Sequence, residues 1–133
     1  MTADTPFLSS LVASGHIDKA AIISAAGDSV WAASATFTIK PDELKAIATV
    51  LDGNAAAADK AYSEGLHVAD EKYVATIISV EDNIAMVRKG KTGLAIAKTK
   101  QAIIVGHYGE NAQASNARAT VEALAKYLRD SGY

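Results

Sequence analysis

Residues 84–108 read IAMVRKGKTGLAIAKTKQAIIVGHY, and this stretch decides the predicted fold. Apolar and β-branched residues fill three short segments, which we predict as strands over Ile84–Lys89, Leu94–Thr99 and Ala102–Tyr108. The gaps between them are too short for a parallel crossover, which needs about a dozen residues or more. Neighbouring strands must therefore run antiparallel, and two upstream segments, Leu66–Val68 and Lys72–Val80, extend the same meander.

The sequence also predicts helices before and after the strands of this sheet along the chain. The last one follows Gly109 and places small or apolar residues on one side of a helix, namely Ala114, Ala117, Val121, Leu124, Ala125 and Leu128. A second helix begins at Pro41, which suits a first turn, and closes at Gly53. Helical spacing also predicts a short N-terminal helix, which carries Phe7, Leu8, Leu11 and Val12.

The remaining segments are a hairpin and a linker. Apolar runs over Ile17–Ser24 and Ser29–Ser34 flank Gly27, which supplies the positive φ that a tight reversal requires. Between Asn54 and Gly65 alanines and charges alternate without a clear period, so we predict a linker with about one helical turn. Together these elements predict an α+β fold, in which the N- and C-terminal helices pack on one face of a central antiparallel sheet.

Length and composition limit the class of protein. The chain has 133 residues, half of them hydrophobic, and a net charge of -2, which predicts one compact domain over residues 1–133. This composition favours neither disorder nor bulk attraction to nucleic acid. The absence of cysteine excludes disulfides, thiolate nucleophiles and sulfur-ligated metals. The opening residues lack the pattern of a signal peptide, so we expect a cytoplasmic location.

No catalytic constellation stands out in the sequence. Gly90-Lys91-Thr92 copies the end of a phosphate-binding P-loop, but Ala85 occupies the position of its first glycine and a strand pattern follows. His16, His67 and His107 lie on different predicted elements, and none has an acid or a second histidine at metal-ligand spacing. We therefore predict no enzyme activity, no cofactor and no metal, and an enzyme acting on phosphoesters is the weakest alternative.

A cluster of basic residues is the stronger signal. Five cations fall on one predicted hairpin, namely Arg88, Lys89, Lys91, Lys98 and Lys100. They predict one positive rim on a net negative molecule, suited to phosphorylated lipid headgroups or to an acidic protein surface. The alternative is a sheet edge that lysines protect from aggregation. Nucleic acid is not expected, because no aromatic residue is interleaved with these cations for base stacking.

A small aromatic set indicates a second surface. Trp31 lies on the second predicted strand, Tyr127 and Leu128 on the last helix, and Tyr133 at the C-terminus. If that helix packs beside the strand, the rings could line a shallow groove for a polyproline II ligand, whose flat pyrrolidine rings stack on aromatic faces. In the alternative interpretation, Trp31 belongs to the core.

Five segments together resemble the profilin family and are most similar to its fungal members. They are GHIDKA (15–20), GDSVWA (27–32), GLHV (65–68), KTKQAII (98–104) and the ending YLRDSGY (127–133). The resemblance covers the chain from about Ser10 to Tyr133. It implies a profilin-like fold, in which the antiparallel sheet lies between helix pairs, with the terminal helices on one face and shorter helices on the other. It also implies a cytoplasmic, cytoskeleton-associated, monomeric protein that binds monomeric actin, proline-rich ligands and phosphoinositides.

The resemblance assigns the groove for proline-rich proteins, such as formins, to the aromatic set of Trp31, Tyr127, Leu128 and Tyr133. Relatives usually add a tryptophan and a tyrosine from the first helix, where this chain has Ala3 and Pro6. We therefore expect weaker binding of proline-rich ligands, for which Phe7 could compensate only in part.

The resemblance also assigns an actin-binding surface and a lipid-binding surface. The actin residues are Lys72, Val74, Arg88, Lys89, Gln113 and Arg118, and the phosphoinositide residues are Arg88, Lys89, Lys91, Lys98 and Lys100. Several relatives place a basic residue near Ile77, so one ionic contact with actin is expected to be lost here. Because the two sets overlap, actin and phosphoinositides are expected to compete.

The sequence thus predicts a regulator of actin polymerisation that bridges an actin monomer and a proline-rich assembly factor. The alternative is a small α/β scaffold or adaptor subunit of the roadblock or longin type, which would dimerise and dock a GTPase or a trafficking partner.

Overall fold

The computed structural model describes residues 15–34, 37, 39–79, 81, 83–110 and 112–132. Within these residues the chain forms seven strands and three helices. The strands are β1 (Lys19–Ser24), β2 (Val30–Ala33), β3 (Leu66–Val68), β4 (Glu71–Ser79), β5 (Ile84–Lys89), β6 (Thr92–Lys98) and β7 (Ala102–Tyr108). The helices are α1 (Pro41–Leu51), α2 (Ala55–Ser63) and α3 (Ala114–Asp130). The predicted N-terminal helix and Tyr133 lie outside the described residues.

All seven strands join one antiparallel sheet in the order β2-β1-β7-β6-β5-β4-β3. The predicted meander from β3 to β7 is confirmed, and so is the hairpin of β1 and β2. The hairpin joins the meander through β1 and β7, which pair from Lys19 opposite His107 to Ser24 opposite Ala102. This non-local pairing brings the early part of the chain beside its last strand.

Alternation along the strands sends side chains to two separate cores. On β7, Ile104 and Tyr108 belong to the core beneath α3, whereas Ile103 and Val105 belong to the core beneath α1 and α2. Helix α3 approaches the sheet closely at Gly106, where an added Cβ would lie 2.9 Å from a methyl carbon of Val121. The predicted α+β arrangement is therefore confirmed for the described elements: α3 covers one face, and the shorter helices α1 and α2 cover the other.

The prediction of a linker between Asn54 and Gly65 is wrong. Helix α2 occupies most of this segment, and the Asn54 side chain caps it by accepting a hydrogen bond from Ala57 N at 2.9 Å. Alanine has the highest helix propensity, so a capped alanine run forms a helix even though it buries only a narrow side around Ala61. Near its end, the Tyr62 hydroxyl accepts a hydrogen bond from Ile78 N of β4 at 2.9 Å. Among the helices that the structure describes, none combines the length and apolar character needed to cross a bilayer.

Candidate binding surfaces

A groove of about 540 Å³ opens where the start of α3 faces strands β4 and β5. Its walls combine apolar side chains with cations; they include Ile77, Met86, Arg88, Lys91, Tyr108 and Arg118. We call it the cationic groove. Burial raises the pKa of Tyr108 above its ordinary value, while the positive charge of Arg88 opposes that shift. The groove therefore offers an apolar floor with guanidinium groups at its border.

The two arginines of the cationic groove are oriented by local contacts. Arg88 Nε donates a hydrogen bond to the carbonyl oxygen of Gly90 at 2.6 Å, and Arg118 Nε donates one to Glu122 Oε1 at 2.6 Å. The second contact joins residues four apart on α3, a spacing at which opposite charges on a helix surface meet. Each guanidinium keeps further N–H groups for a partner, because a single contact uses only one of its five donors.

Two of the predicted actin residues, Arg88 and Arg118, line this groove, and others lie on the elements beside it. On β4, Tyr73 and Ala75 face the core beneath α1 and α2, so alternation places Lys72 and Val74 on the α3 face. Val74 pairs directly with Arg88. Further around the groove, Gln113 is the N-cap residue of α3, and Arg118 follows in the second turn.

Lys89 does not share this surface. It follows Arg88 directly on β5, so its side chain points to the opposite face of the sheet. There it forms an ion pair with Glu71, and this hydrogen-bonded contact lowers the pKa of Glu71 below its ordinary value. The prediction that Arg88 and Lys89 act on one surface is corrected by the alternation of the strand.

The predicted positive rim is also divided. Lys91 lies in the turn between β5 and β6, whereas Lys98 ends β6, about 23 Å away along the strand. Lys98 Nζ forms an ion pair with Asp52 Oδ1 at 2.6 Å, and its carbonyl accepts a hydrogen bond from Arg129 Nη2 at 2.8 Å. Lys100 is exposed in the next turn. The five cations therefore occupy three places instead of one rim: Arg88 and Lys91 line the cationic groove, Lys89 lies on the opposite face of the sheet, and Lys98 and Lys100 lie near the turn between β6 and β7.

Among the described members of the aromatic set, Tyr127 and Leu128 lie near the other end of α3, and Trp31 lies on β2. Trp31 is partly buried and packs against the core that contains Leu128, while Tyr127 is 56% exposed. The end of α3 is held there by the Arg129 contact with Lys98 and by a hydrogen bond of 3.4 Å from Gln101 Nε2 to the Gly132 carbonyl. Trp31 is therefore neither sealed in the core nor fully exposed, which is compatible with a groove wall.

The two surfaces are separated along one helix. Arg118 in the second turn of α3 and Tyr127 near its end are about 14 Å apart along the axis. Side chains that point to the cationic groove therefore belong to a different region of the surface from those near Trp31. Two partners could contact the two regions at the same time.

Two features of the cationic groove were not predicted from the sequence. Val74 and Ile77 are exposed by 42% and 44%, although both lie in a strand. A bulge between Ala75 and Ile77 shifts the pairing with β5, so that Ile77 lies opposite Met86 on the α3 face. The only sequence signal was the consecutive apolar pair Ile77-Ile78, which breaks the alternation of β4.

The histidines do not form a catalytic group. His107 is 8% exposed and its Nδ1 lies 2.5 Å from Asp18 Oδ1, a contact that joins the end of β7 to the start of β1. Among the described residues, no three acidic or histidine side chains are grouped in a way that could hold a metal ion.

Comparison with known proteins identifies the family. The Profilin family profile matches residues 3–133. The profilin of Schizosaccharomyces pombe is 38% identical over 124 residues, which are 93% of each chain. A crystal structure of Schizosaccharomyces pombe profilin has a TM-score of 0.86, with 34% identity over 96% of this chain and 97% of that one. Mouse profilin IIa in complex with a double repeat from the FH1 domain of mDia1 has a TM-score of 0.82 at 22% identity, over 98% and 99% of the two chains.

The chain belongs to the profilin family. Profilins are cytoplasmic, cytoskeleton-associated proteins that bind actin and regulate its polymerisation, and they are not enzymes. The predicted family, fold and actin-regulating class are therefore confirmed. This membership favours actin regulation over the alternative of a roadblock or longin scaffold.

Proposed function

We propose that the cationic groove and the strand beside it form the surface that binds an actin monomer. The observation that carries it is that Arg88 and Arg118, which are distant in sequence, line one groove together with the exposed Ile77. The exposed Val74 pairs with Arg88 on the neighbouring strand, and Lys72 lies on the same face of that strand. Apolar contact would provide affinity, and the guanidinium groups would direct an acidic partner surface into place. Ile77 takes an apolar position in this contact.

The second part of the proposal is a site for proline-rich ligands at the end of α3. Trp31, Tyr127, Leu128 and Tyr133 would contact the ligand, and the partners would be proline-rich proteins such as formins. The complex of mouse profilin IIa with an FH1 repeat supports this class of ligand. Ala3 and Pro6 occupy the positions where relatives carry further aromatic residues, so the affinity is expected to be low within the family.

The third part concerns phosphoinositide headgroups. Arg88 and Lys91 border the cationic groove together with Arg118, so a phosphorylated headgroup bound there would compete with actin. Lys98 and Lys100 form a second, separate group near the end of α3. Because Lys98 is already paired with Asp52, it contributes less to lipid binding than Lys100.

Together the three proposed binding sites give a bridging mechanism that involves no chemical reaction. A monomeric profilin would hold an actin subunit at the cationic groove while a proline-rich assembly factor holds the end of α3. The separation of the two surfaces lets both partners bind together, and the factor then raises the local concentration of actin subunits at the growing filament.

Four measurements test the proposal. The purified protein should slow the spontaneous polymerisation of labelled actin, and a failure at concentrations well above that of actin would contradict actin binding. Titration with polyproline should change the fluorescence of Trp31, the sole tryptophan. If fluorescence and calorimetry both show no binding, the proline site is wrong. Vesicles that contain phosphoinositides should release actin, and light scattering should report a monomer.

A further inference from the structure

The buried carboxylate of Glu43 holds the turn between β3 and β4. Glu43 lies in the first turn of α1 and is 6% exposed. Its Oε1 accepts hydrogen bonds from Lys40 N at 2.9 Å and Ala69 N at 3.0 Å, and its Oε2 accepts one from Asp70 N at 3.1 Å. One side chain therefore joins the start of α1 to a turn that lies 26 residues later in the chain.

The turn that Glu43 holds has an unfavourable sequence. Ala69 and Asp70 have φ values of 53° and 65°, and they connect Val68 to its partner Glu71. Two consecutive residues with positive φ are the pattern of a type I′ hairpin turn, which strongly prefers Asn-Gly. Ala69 has no side chain that could stabilise this conformation locally. The Glu43 carboxylate accepts hydrogen bonds from the backbone N–H groups of both Ala69 and Asp70, and so stabilises this turn conformation from outside the hairpin.

The hairpin also has few other attachments to the sheet. Strand β3 has three residues and pairs only with β4, and the described pairing of β4 with β5 begins at Val74. The segment Glu71–Tyr73 therefore extends past β5. Leu66, Val68 and Tyr73 anchor the hairpin in the core beneath α1 and α2. Its polar links besides Glu43 include the exposed ion pairs of Lys40 with Asp70 and of Lys89 with Glu71. Exposed pairs of this kind restrain a segment weakly.

We propose that Glu43 is a positioning residue for the actin-binding surface: by clamping the turn at Ala69 and Asp70, it sets the position of Lys72 and Val74. Glu43 itself faces the side of the sheet that carries α1 and α2, so it does not touch an actin subunit bound at the cationic groove. Its effect on actin is transmitted through the hairpin. This inference rests on the actin-binding surface proposed above.

The test uses Glu43→Gln, which keeps the size of the side chain and removes its charge. We expect faster amide hydrogen exchange at Ala69 and Asp70, and a dissociation constant for actin that rises about threefold to tenfold, because hydrogen bonds to a charged acceptor are the stronger ones. The affinity for polyproline should remain within about twofold. Asp42→Asn is the matched control, since it removes a neighbouring charge from the same helix turn without touching the hairpin.

A rescue variant separates positioning from general stability. Adding Ala69→Asn and Asp70→Gly to Glu43→Gln creates the turn sequence that adopts positive φ by itself. We expect this triple variant to recover the actin affinity of the parent protein. If it recovers the unfolding midpoint but not the actin affinity, or if Glu43→Gln leaves actin binding unchanged, the positioning role is refuted.

A double-mutant cycle with Val74→Ala distinguishes failure of the inference from failure of the proposed site. If Glu43 acts through this strand, its effect on actin affinity should shrink when Val74 is already truncated. Unchanged actin binding in Val74→Ala alone would refute the placement of the actin surface. Weaker binding in Val74→Ala with purely additive effects in the cycle would refute only the role of Glu43.

Discussion

Reversing the charge of Arg118 should weaken actin binding and leave the proline site intact. Arg118 borders the cationic groove, and its side chain is 34% exposed. An exposed ion pair contributes about 0.2–1 kcal/mol, and Arg118→Glu replaces attraction with repulsion of similar size. The expected loss of about 0.4–2 kcal/mol corresponds to an actin dissociation constant about twofold to thirtyfold higher. The loss should be larger at low ionic strength.

Arg118→Glu should have almost no effect on ligand binding at Tyr127. Two unit charges about 14 Å apart in water interact by about 0.3 kcal/mol before screening. The Debye length at physiological salt is about 8 Å, so screening reduces this value several-fold. Polyproline affinity should therefore change by less than about a quarter. Actin affinity is measured by fluorescence anisotropy and polyproline affinity by the emission of Trp31, each at two salt concentrations.

Lys126→Glu is the matched control for Arg118→Glu. It makes the same charge change on the same helix, at an exposed position next to Tyr127. We expect its actin affinity to stay within about twofold of the parent. The reasoning is refuted if both variants weaken actin binding equally, or if Arg118→Glu has no effect at low salt while its circular dichroism remains unchanged.

Three further predictions concern the second surface and the core. Tyr127→Ala should lower polyproline affinity about tenfold, since removing an exposed aromatic anchor costs about 1–2 kcal/mol, and it should not alter actin binding. Trp31 fluorescence measures the polyproline affinity, and a polymerisation assay measures actin binding. Gly106→Val should destabilise the fold by about 1–3 kcal/mol or more, because its Cβ would lie 2.9 Å from Val121; urea unfolding measures this, and an unchanged midpoint would contradict the close packing of α3. Burial raises the pKa of Tyr73 to about 12, so the tyrosine of the unfolded state loses its proton at a lower pH than that of the folded state. The free energy of unfolding should therefore fall as the pH rises from about 10 to 12. Tyr73→Phe should make this fall shallower, which unfolding experiments at about pH 10 and about pH 12 would measure.

The sequence predicted strands better than it predicted the short helix α2. The bounds of β5 and β7 are those predicted, because each is a short apolar run between polar turn residues, which is the pattern of a buried strand. Helix α2 has almost no apolar periodicity, since Ala61 is its one buried residue within the described part of the chain. Its cap at Asn54 was the available signal.

The candidate sites were predicted as sets of residues, and the structure changed how those sets are divided. Lys89 was grouped with Arg88 because they are adjacent in sequence, but adjacent residues of a strand point to opposite faces. Lys98 was grouped with Lys91 because they lie on one hairpin, but they are at opposite ends of β6. Sequence proximity overestimated spatial proximity in both cases.

The sequence by itself determined the strands, the amphipathic helices and the family, because these depend on local spacing and on residue identity. Only the tertiary structure decided that Arg88 and Arg118 line one groove and that the Glu43 carboxylate reaches the turn at Ala69. The physical reason is that strand pairing and the packing of α3 on the sheet join residues far apart in the chain. Such contacts depend on the whole fold, and no local pattern records them.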